Sequence, residues 1–241
     1  MWNITQIIKK AAGNQLDKLL KFNLYQNYVN DRYNKQGYMN INEQYLNDCF
    51  YSYNGFEYHV NDQIDSIIDV FKHYDVSDIK STDIILDIGG NVGAFTMLAA
   101  RKCKHVYVVE PLFGDIIRKN LKRNNITNVT VIDCGLGNKD IMIRYGKFNK
   151  HVECKSLSKI ISLCGYHIDF MKLDCEGGEW CITPSELAGI RRIEAEIHNL
   201  DGFHDVTNFS KTLDKANFKY TIQKLSDVII LVHAWKDVEN S

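Results

Sequence analysis

From residue 83 onward the chain alternates short, almost unbroken apolar runs with stretches of helical periodicity. The apolar runs near 84–88, 105–109, 129–133, 168–173 and 192–197 read as strands covered on both faces, as in a parallel sheet with helical or looped crossovers. Residues 218–224 and 227–234 lie too close together for a parallel crossover, so they must pair as an antiparallel hairpin. Upstream, residues 50–60 alternate around Asn54-Gly55, a strong hairpin signal. A helix is predicted from about 62 to 74, with Ile64, Ile67, Ile68 and Phe71 on one face. Residues 22–54 are rich in Tyr and Asn with only weak periodicity and read as loops and short helical pieces. The first 20 residues place Ile4, Ile7, Ile8, Ala11, Leu16, Leu19 and Leu20 at helical spacing with Lys9, Lys10 and Lys18 between them. The pattern predicts an α/β protein with a seven-stranded, mostly parallel sheet closed by an antiparallel C-terminal β-hairpin. The sheet occupies residues 61–241, after an N-terminal extension over 1–60.

The most informative segment is Asp87-Ile-Gly-Gly-Asn-Val-Gly93 with Glu110-Pro111 behind it. It reads as a strand, a glycine turn, a helix and a second strand that ends in a carboxylate 21 residues beyond Gly89. Such a unit builds a nucleoside site, in which the backbone approaches the ligand and the acid accepts from ribose hydroxyls. Asn91 interrupts the G-x-G-x-x-G that would cradle a pyrophosphate. Asp87 at the strand tip would repel a diphosphate and suit an ammonium group. S-adenosylmethionine, which has an ammonium group and no phosphate, fits these details better than NAD. Gly89, Gly90, Asn91 and Gly93 are expected along its methionine end, Glu110 at the ribose, and Asp133 and Cys134 beside the adenine, with Pro111 next to Glu110.

Composition adds mostly exclusions. A chain of 241 residues, 45% hydrophobic and 24% charged, is long enough for a proper core. A net charge of -1 gives no electrostatic reason to expect nucleic acid or an anionic membrane. Seven cysteines without a C-x-x-C pair argue against a zinc ribbon or a disulfide framework and fit a reducing cytoplasm. No stretch approaches a membrane span, and the first helix suits packing on the main domain or on a second subunit. A homo-oligomer through the N-terminal region follows as an expectation.

Several motifs resemble the FkbM-type family of S-adenosylmethionine-dependent methyltransferases. They are the glycine turn with Val109-Glu-Pro111, Asn120 to Asn124 leading into Asn128-Val-Thr-Val, Gly135-Leu-Gly137 and Ser156-Leu-Ser158. Most distinctive is Met171-Lys-Leu-Asp-Cys-Glu-Gly-Gly-Glu179. The family's usual Lys-Ile-Asp-Val-Glu-Gly-Ala-Glu is matched there at Lys172, Asp174, Glu176, Gly177 and Glu179. A later Glu-x-His recurs as Glu196-Ile-His198. Ser158 departs from the usual Asp. The resemblance covers about residues 50–235 and implies a class I methyltransferase acting on a sugar or another small hydroxylated metabolite. The Asn/Asp-Pro-Pro-Tyr/Phe signature of amino-methyltransferases is missing at the fourth strand, where Asp174-Cys-Glu-Gly stands, so nucleic acid is not expected as a partner.

Asp174, Glu176 and Glu179 place three carboxylates within six residues at the end of the fourth strand. That end lies beside the switch point where open α/β sheets bind ligands. Asp174 is the leading base, with Glu176 and His198 next and Lys172 positioned to pair with Asp174. A plain helix cap is the competing reading of the three acids. No dedicated metal site is expected. Two other functions compete: a cofactor-binding protein that has lost catalysis, and an NAD-dependent oxidoreductase, which Asn91 and the terminal hairpin disfavour.

Overall fold

The computed structural model describes residues 50–59, 64–145, 148–198 and 206–237. The predictions for residues 1–49 lie outside them. In chain order the elements begin with β1 (Phe50–Tyr53), β2 (Phe56–His59), α1 (Ile64–His73), β3 (Ile84–Ile88), α2 (Ala94–Ala100), β4 (His105–Val109), α3 (Gly114–Arg123) and β5 (Val129–Ile132). Then come β6 (Gly135–Leu136), β7 (Ile141–Tyr145), β8 (Phe148–Val152), β9 (Cys154–Lys155), α4 (Leu157–Cys164) and β10 (Phe170–Leu173). The last elements are β11 (Arg192–His198), α5 (Val206–Lys215), β12 (Lys219–Lys224) and β13 (Ile229–Trp235).

The main sheet has seven strands in the order β12-β13-β11-β10-β3-β4-β5. The five central and edge strands from β11 to β5 are parallel, and β13 runs antiparallel between β11 and β12. The expected architecture is therefore present. The chain reverses its winding at β3, with β10 on one side and β4 on the other, so the tips of these three strands face one crevice.

Period-two alternation decides which face each residue supplies. Leu86 and Ile88 share one core with Leu157 and Ile160 of α4 and Phe209 and Leu213 of α5. Ile85 points the other way, onto Phe95 and Ala99 of α2 and Phe170. Each fully buried Ile, Leu or Phe contributes roughly 1.5–3 kcal/mol, so both faces must be covered. The β1–β2 hairpin turns through Asn54 and Gly55, both left-handed, as a tight Asn-Gly turn requires. It packs on α3, where Asn124 Oδ1 accepts from Glu57 N at 2.9 Å and Asn120 Oδ1 from His59 N at 2.8 Å. Two features go beyond the sequence-based expectation: the β7–β8 hairpin and the short parallel β6–β9 pair.

Candidate active site

The crevice at the strand tips opens into a cavity of about 630 Å³, within the size range of cofactor and small-molecule sites. It is lined by the turn after β3, by Glu110 and Asp174, and by residues of α1 and of the β7–β8 hairpin. Lys150 of that hairpin donates to the Pro111 carbonyl at 2.5 Å, tying the flank to the end of β4.

Glu110 follows the end of β4 and lines the cavity. It is buried, and its carboxylate accepts from the backbone N–H of Asn91 at 2.8 Å and of Leu112 and Phe113 at 2.7 and 3.2 Å. Burial raises its pKa, and these three amides work against that rise. Glu110 thus also fastens the glycine turn to the end of β4. Gly89, Gly90, Asn91, Pro111 and Cys134 line the cavity.

Three expectations need correction. Asp87 does not line the cavity; it is fully buried, accepts a hydrogen bond from the Thr96 hydroxyl and pairs with Lys172 Nζ at 3.5 Å. The ammonium it meets is the chain's own. Gly93 sits at the start of α2 against Ile117, outside the lining. Asp133 is half-exposed and bridged to Arg118, again outside the lining, because the strand tip turns its carboxylate toward α3.

Gly89 has a role that its motif does not reveal. Its φ is +77°, and a Cβ there would lie 1.6 Å from the backbone carbonyl oxygen of Asp174. The glycine turn and the tip of β10 therefore pack backbone against backbone.

Lys172 is 3% exposed and sits between two acids, 3.5 Å from Asp87 and 3.4 Å from Asp174, while donating to the Gly89 carbonyl at 2.6 Å. Burial disfavours its charge, but Asp174 and Asp87 outweigh burial and hold its pKa above the ordinary value. Lys172 is thus a fixed cation beneath Asp174. The Tyr74 hydroxyl donates to Asp174 Oδ2 at 3.0 Å from the end of α1. Burial first, and then Asp174, push the Tyr74 phenol well above its usual pKa, which keeps it a donor.

The plain helix-cap reading of the acidic block fails, since no α-helix follows Asp174. A single 3-10 turn, Gly178–Cys181, takes its place. Glu179 is buried and lies outside the cavity lining, which corrects its place among the reacting acids. Its carboxylate accepts from Cys175 N at 2.8 Å and Gly177 N at 2.7 Å and faces His198 Nδ1 at 3.4 Å. Glu176 is the exposed member, held at a left-handed φ of 57°. His198, at the end of β11, turns Nε2 toward Glu196 Oε1 at 3.3 Å, Glu176 Oε2 at 3.8 Å and Asp174 Oδ1 at 4.0 Å. Burial opposes charge on the ring, yet Glu179, Glu196 and Glu176 outweigh it and raise the His198 pKa to about 10. An imidazolium cannot accept a proton, so His198 in this state is not a base. Glu196 was not among the expected site residues, although it lines the cavity two positions before His198 on the same strand face.

No family model matches the chain. One relative is a probable cobalt-precorrin-6B C(15)-methyltransferase (decarboxylating) of Methanocaldococcus jannaschii, 24% identical over 139 residues, covering 56% of this chain and 72% of that protein. Another is a probable ribosomal RNA small subunit methyltransferase A of Methanosphaera stadtmanae, 31% identical over 80 residues, covering 32% of this chain and 27% of that protein. An uncharacterized RNA methyltransferase of Streptococcus agalactiae is 39% identical over 64 residues, covering 25% of this chain and 14% of that protein. The last two matches thus reach well under a third of those proteins. Among solved structures, SMU.776 complexed with SAH superposes at a TM-score of 0.50 with 12% identity, covering 77% of this chain and 55% of that one. Two of these relatives are named for RNA, which overturns the expectation of a small-molecule acceptor with no nucleic acid. The net charge of a whole chain does not report the field over one face. Among the described residues no helix is long and apolar enough to cross a membrane. The chain has the Rossmann-like methyltransferase fold, and its relatives support a place among the class I S-adenosylmethionine-dependent methyltransferases.

Proposed function

We propose that the chain binds S-adenosylmethionine in the crevice at the tips of β3 and β4 and transfers its methyl group to an acceptor oxygen. The observation that carries this reading is that the glycine turn, a buried Glu110 and Asp174 line one cavity. Gly89, Gly90 and Asn91 would border the amino-acid end and Glu110 the ribose. The cofactor supplies a methyl group already activated on a sulfonium. What remains for the protein is alignment, which can supply about 7–11 kcal/mol, and a proton acceptor worth roughly 10²–10⁴ in rate. Asp174 is the proposed acceptor of that proton, oriented by the Tyr74 hydroxyl and the Lys172 ammonium. With no ion bound, His198 is held as an imidazolium that stabilises the neighbouring acids and takes no proton.

The FkbM resemblance points to a sugar hydroxyl as the accepting group, and RNA presents such hydroxyls on its riboses. An acceptor panel therefore includes RNA as well as hydroxylated compounds. The test is calorimetric titration with S-adenosylmethionine and with NAD, followed by radiolabelled methyl transfer to each fraction. Binding of the first and not the second, with label in one fraction, is the expected result. Binding of NAD alone would overturn the reading. Tight S-adenosylmethionine binding with no transfer to any fraction would favour a binding protein without catalysis.

A further inference from the structure

We propose that Asp174, Glu176 and His198, with Glu196 beside them, form a binding site for a divalent cation of the magnesium and manganese class. The inference goes beyond methyl transfer, since it concerns an ion that the sequence reading did not expect. One ligand atom from each of Asp174, Glu176 and His198 lies within 4.8 Å of the other two. Around His198 Nε2 the carboxylate oxygens stand at 3.3, 3.8 and 4.0 Å. A six-coordinate ion with bonds of 2.0–2.1 Å spaces its ligands about 3 Å apart when adjacent and about 4.2 Å when opposite. The last two separations are long for hydrogen bonds; only one of them can belong to an opposite pair, so the exposed Glu176 turns inward to join the same ion.

A group of surface acids would not need a buried imidazole, and here a second observation points to an ion. His198 is 3% exposed, and its other ring nitrogen faces the fully buried Glu179 at 3.4 Å. A carboxylate behind a histidine is the usual device that fixes a metal-ligating ring and selects the nitrogen it presents. Glu179 also accepts from the backbone of Cys175 and Gly177, which flank Glu176. One buried acid thus positions the ring and the loop carrying another ligand. Carboxylate oxygens with a single imidazole and no thiolate select a hard ion. Binding displaces the proton from Nε2, because only neutral imidazole is a ligand. Asp174, Glu176 and Glu196 line the cavity, so an ion held there would meet an acceptor oxygen and ease loss of its proton.

The experiment is a titration of the full chain with Mn²⁺, without S-adenosylmethionine, followed by loss of the free-ion signal in electron paramagnetic resonance. One ion per chain, displaced by excess Mg²⁺, is the expected result. Glu176→Gln and His198→Gln should each weaken binding at least tenfold, while Asp227→Asn on the surface leaves it unchanged. Glu176 is exposed, so Glu176→Gln remains informative even if His198→Gln does not fold. Absence of stoichiometric binding, or binding that survives Glu176→Gln undiminished, overturns the site. Because no methyl donor is present, failure here leaves the methyl-transfer reading untouched, and failure of that reading leaves this one untouched.

Discussion

At the scale of single residues, two carboxylates that line the cavity, Glu110 and Asp174, carry different duties. Glu110 accepts three backbone amides, which leaves about one acceptor position on its carboxylate for the proposed ribose. Glu110→Gln keeps the shape but removes the charge and turns an amide toward those donors. It should weaken S-adenosylmethionine binding by about 3 kcal/mol, roughly a hundredfold in Kd. Calorimetry checks this, and an unchanged Kd would remove Glu110 from the site. Asp174→Asn should leave Kd nearly unchanged while lowering the single-turnover methyl-transfer rate roughly 10²-fold or more. Near-normal turnover would move the base elsewhere. Ser158, where the FkbM pattern has Asp, gives a contrasting case. Its backbone N–H donates to Glu186 Oε1 at 2.8 Å, on the face away from the cavity. Ser158→Asp should therefore set a second carboxylate beside Glu186 and raise no activity, which steady-state rates would show.

At the scale of elements, β10 is threaded by a buried cation. Lys172→Met leaves Asp87 buried without its counter-ion, with only the Thr96 hydroxyl as donor, and such a loss costs roughly 3–5 kcal/mol near neutral pH. Burial already raises the Asp87 pKa, and Lys172 is the main group opposing that rise. In the variant, folded Asp87 should hold a proton over a pH range where the unfolded chain has lost it. Its stability should then fall as pH rises through the folded pKa and recover as pH drops toward the unfolded one. Urea midpoints across pH would show the deficit narrowing on acidification. A deficit independent of pH would mean that the pair is not the cause.

The same elements show what the sequence could and could not reveal. The five parallel strands were legible because strands buried on both faces must be continuously apolar. The terminal hairpin was legible because its connection is too short for a crossover. The β7–β8 hairpin was not, since it pairs as a separate two-stranded sheet outside the main one. Asp87 and Asp133 were placed at strand tips correctly, but a tip has two faces and the motif does not choose between them. One clue was present: Asp87 and Lys172 are lone charges inside apolar runs, and they prove to be register partners on neighbouring strands. Glu196 could have been found from its spacing two before His198.

At the scale of the whole molecule, stability and ligand are linked. A ligand that binds only the folded chain adds about 2.7 kcal/mol at a hundred times its Kd. For a chain of this size that is roughly 5–10 °C in Tm. S-adenosylhomocysteine should produce such a shift in a thermal melt and NAD should not; no shift with either would empty the proposed crevice of its ligand. Gly89→Ala tests the floor directly. The added carbon meets the Asp174 carbonyl at 1.6 Å and a φ of +77°, so the tips of β3 and β10 must part. A lowered urea midpoint and a weakened Kd should appear together.

That contact has a consequence for how the acceptor can change over time. Where two backbones touch through a missing side chain, neither the cofactor turn nor the acid-bearing tip can drift without the other. The pair descends as one fixed floor, indifferent to what is methylated. Variation that retunes the acceptor is left to the flanks, α1 with Tyr74 and the hairpin tied by Lys150. Relatives that share this floor can then serve quite different acceptors, and exchanging flanks between them, rather than strand tips, is the route by which one could be turned into another.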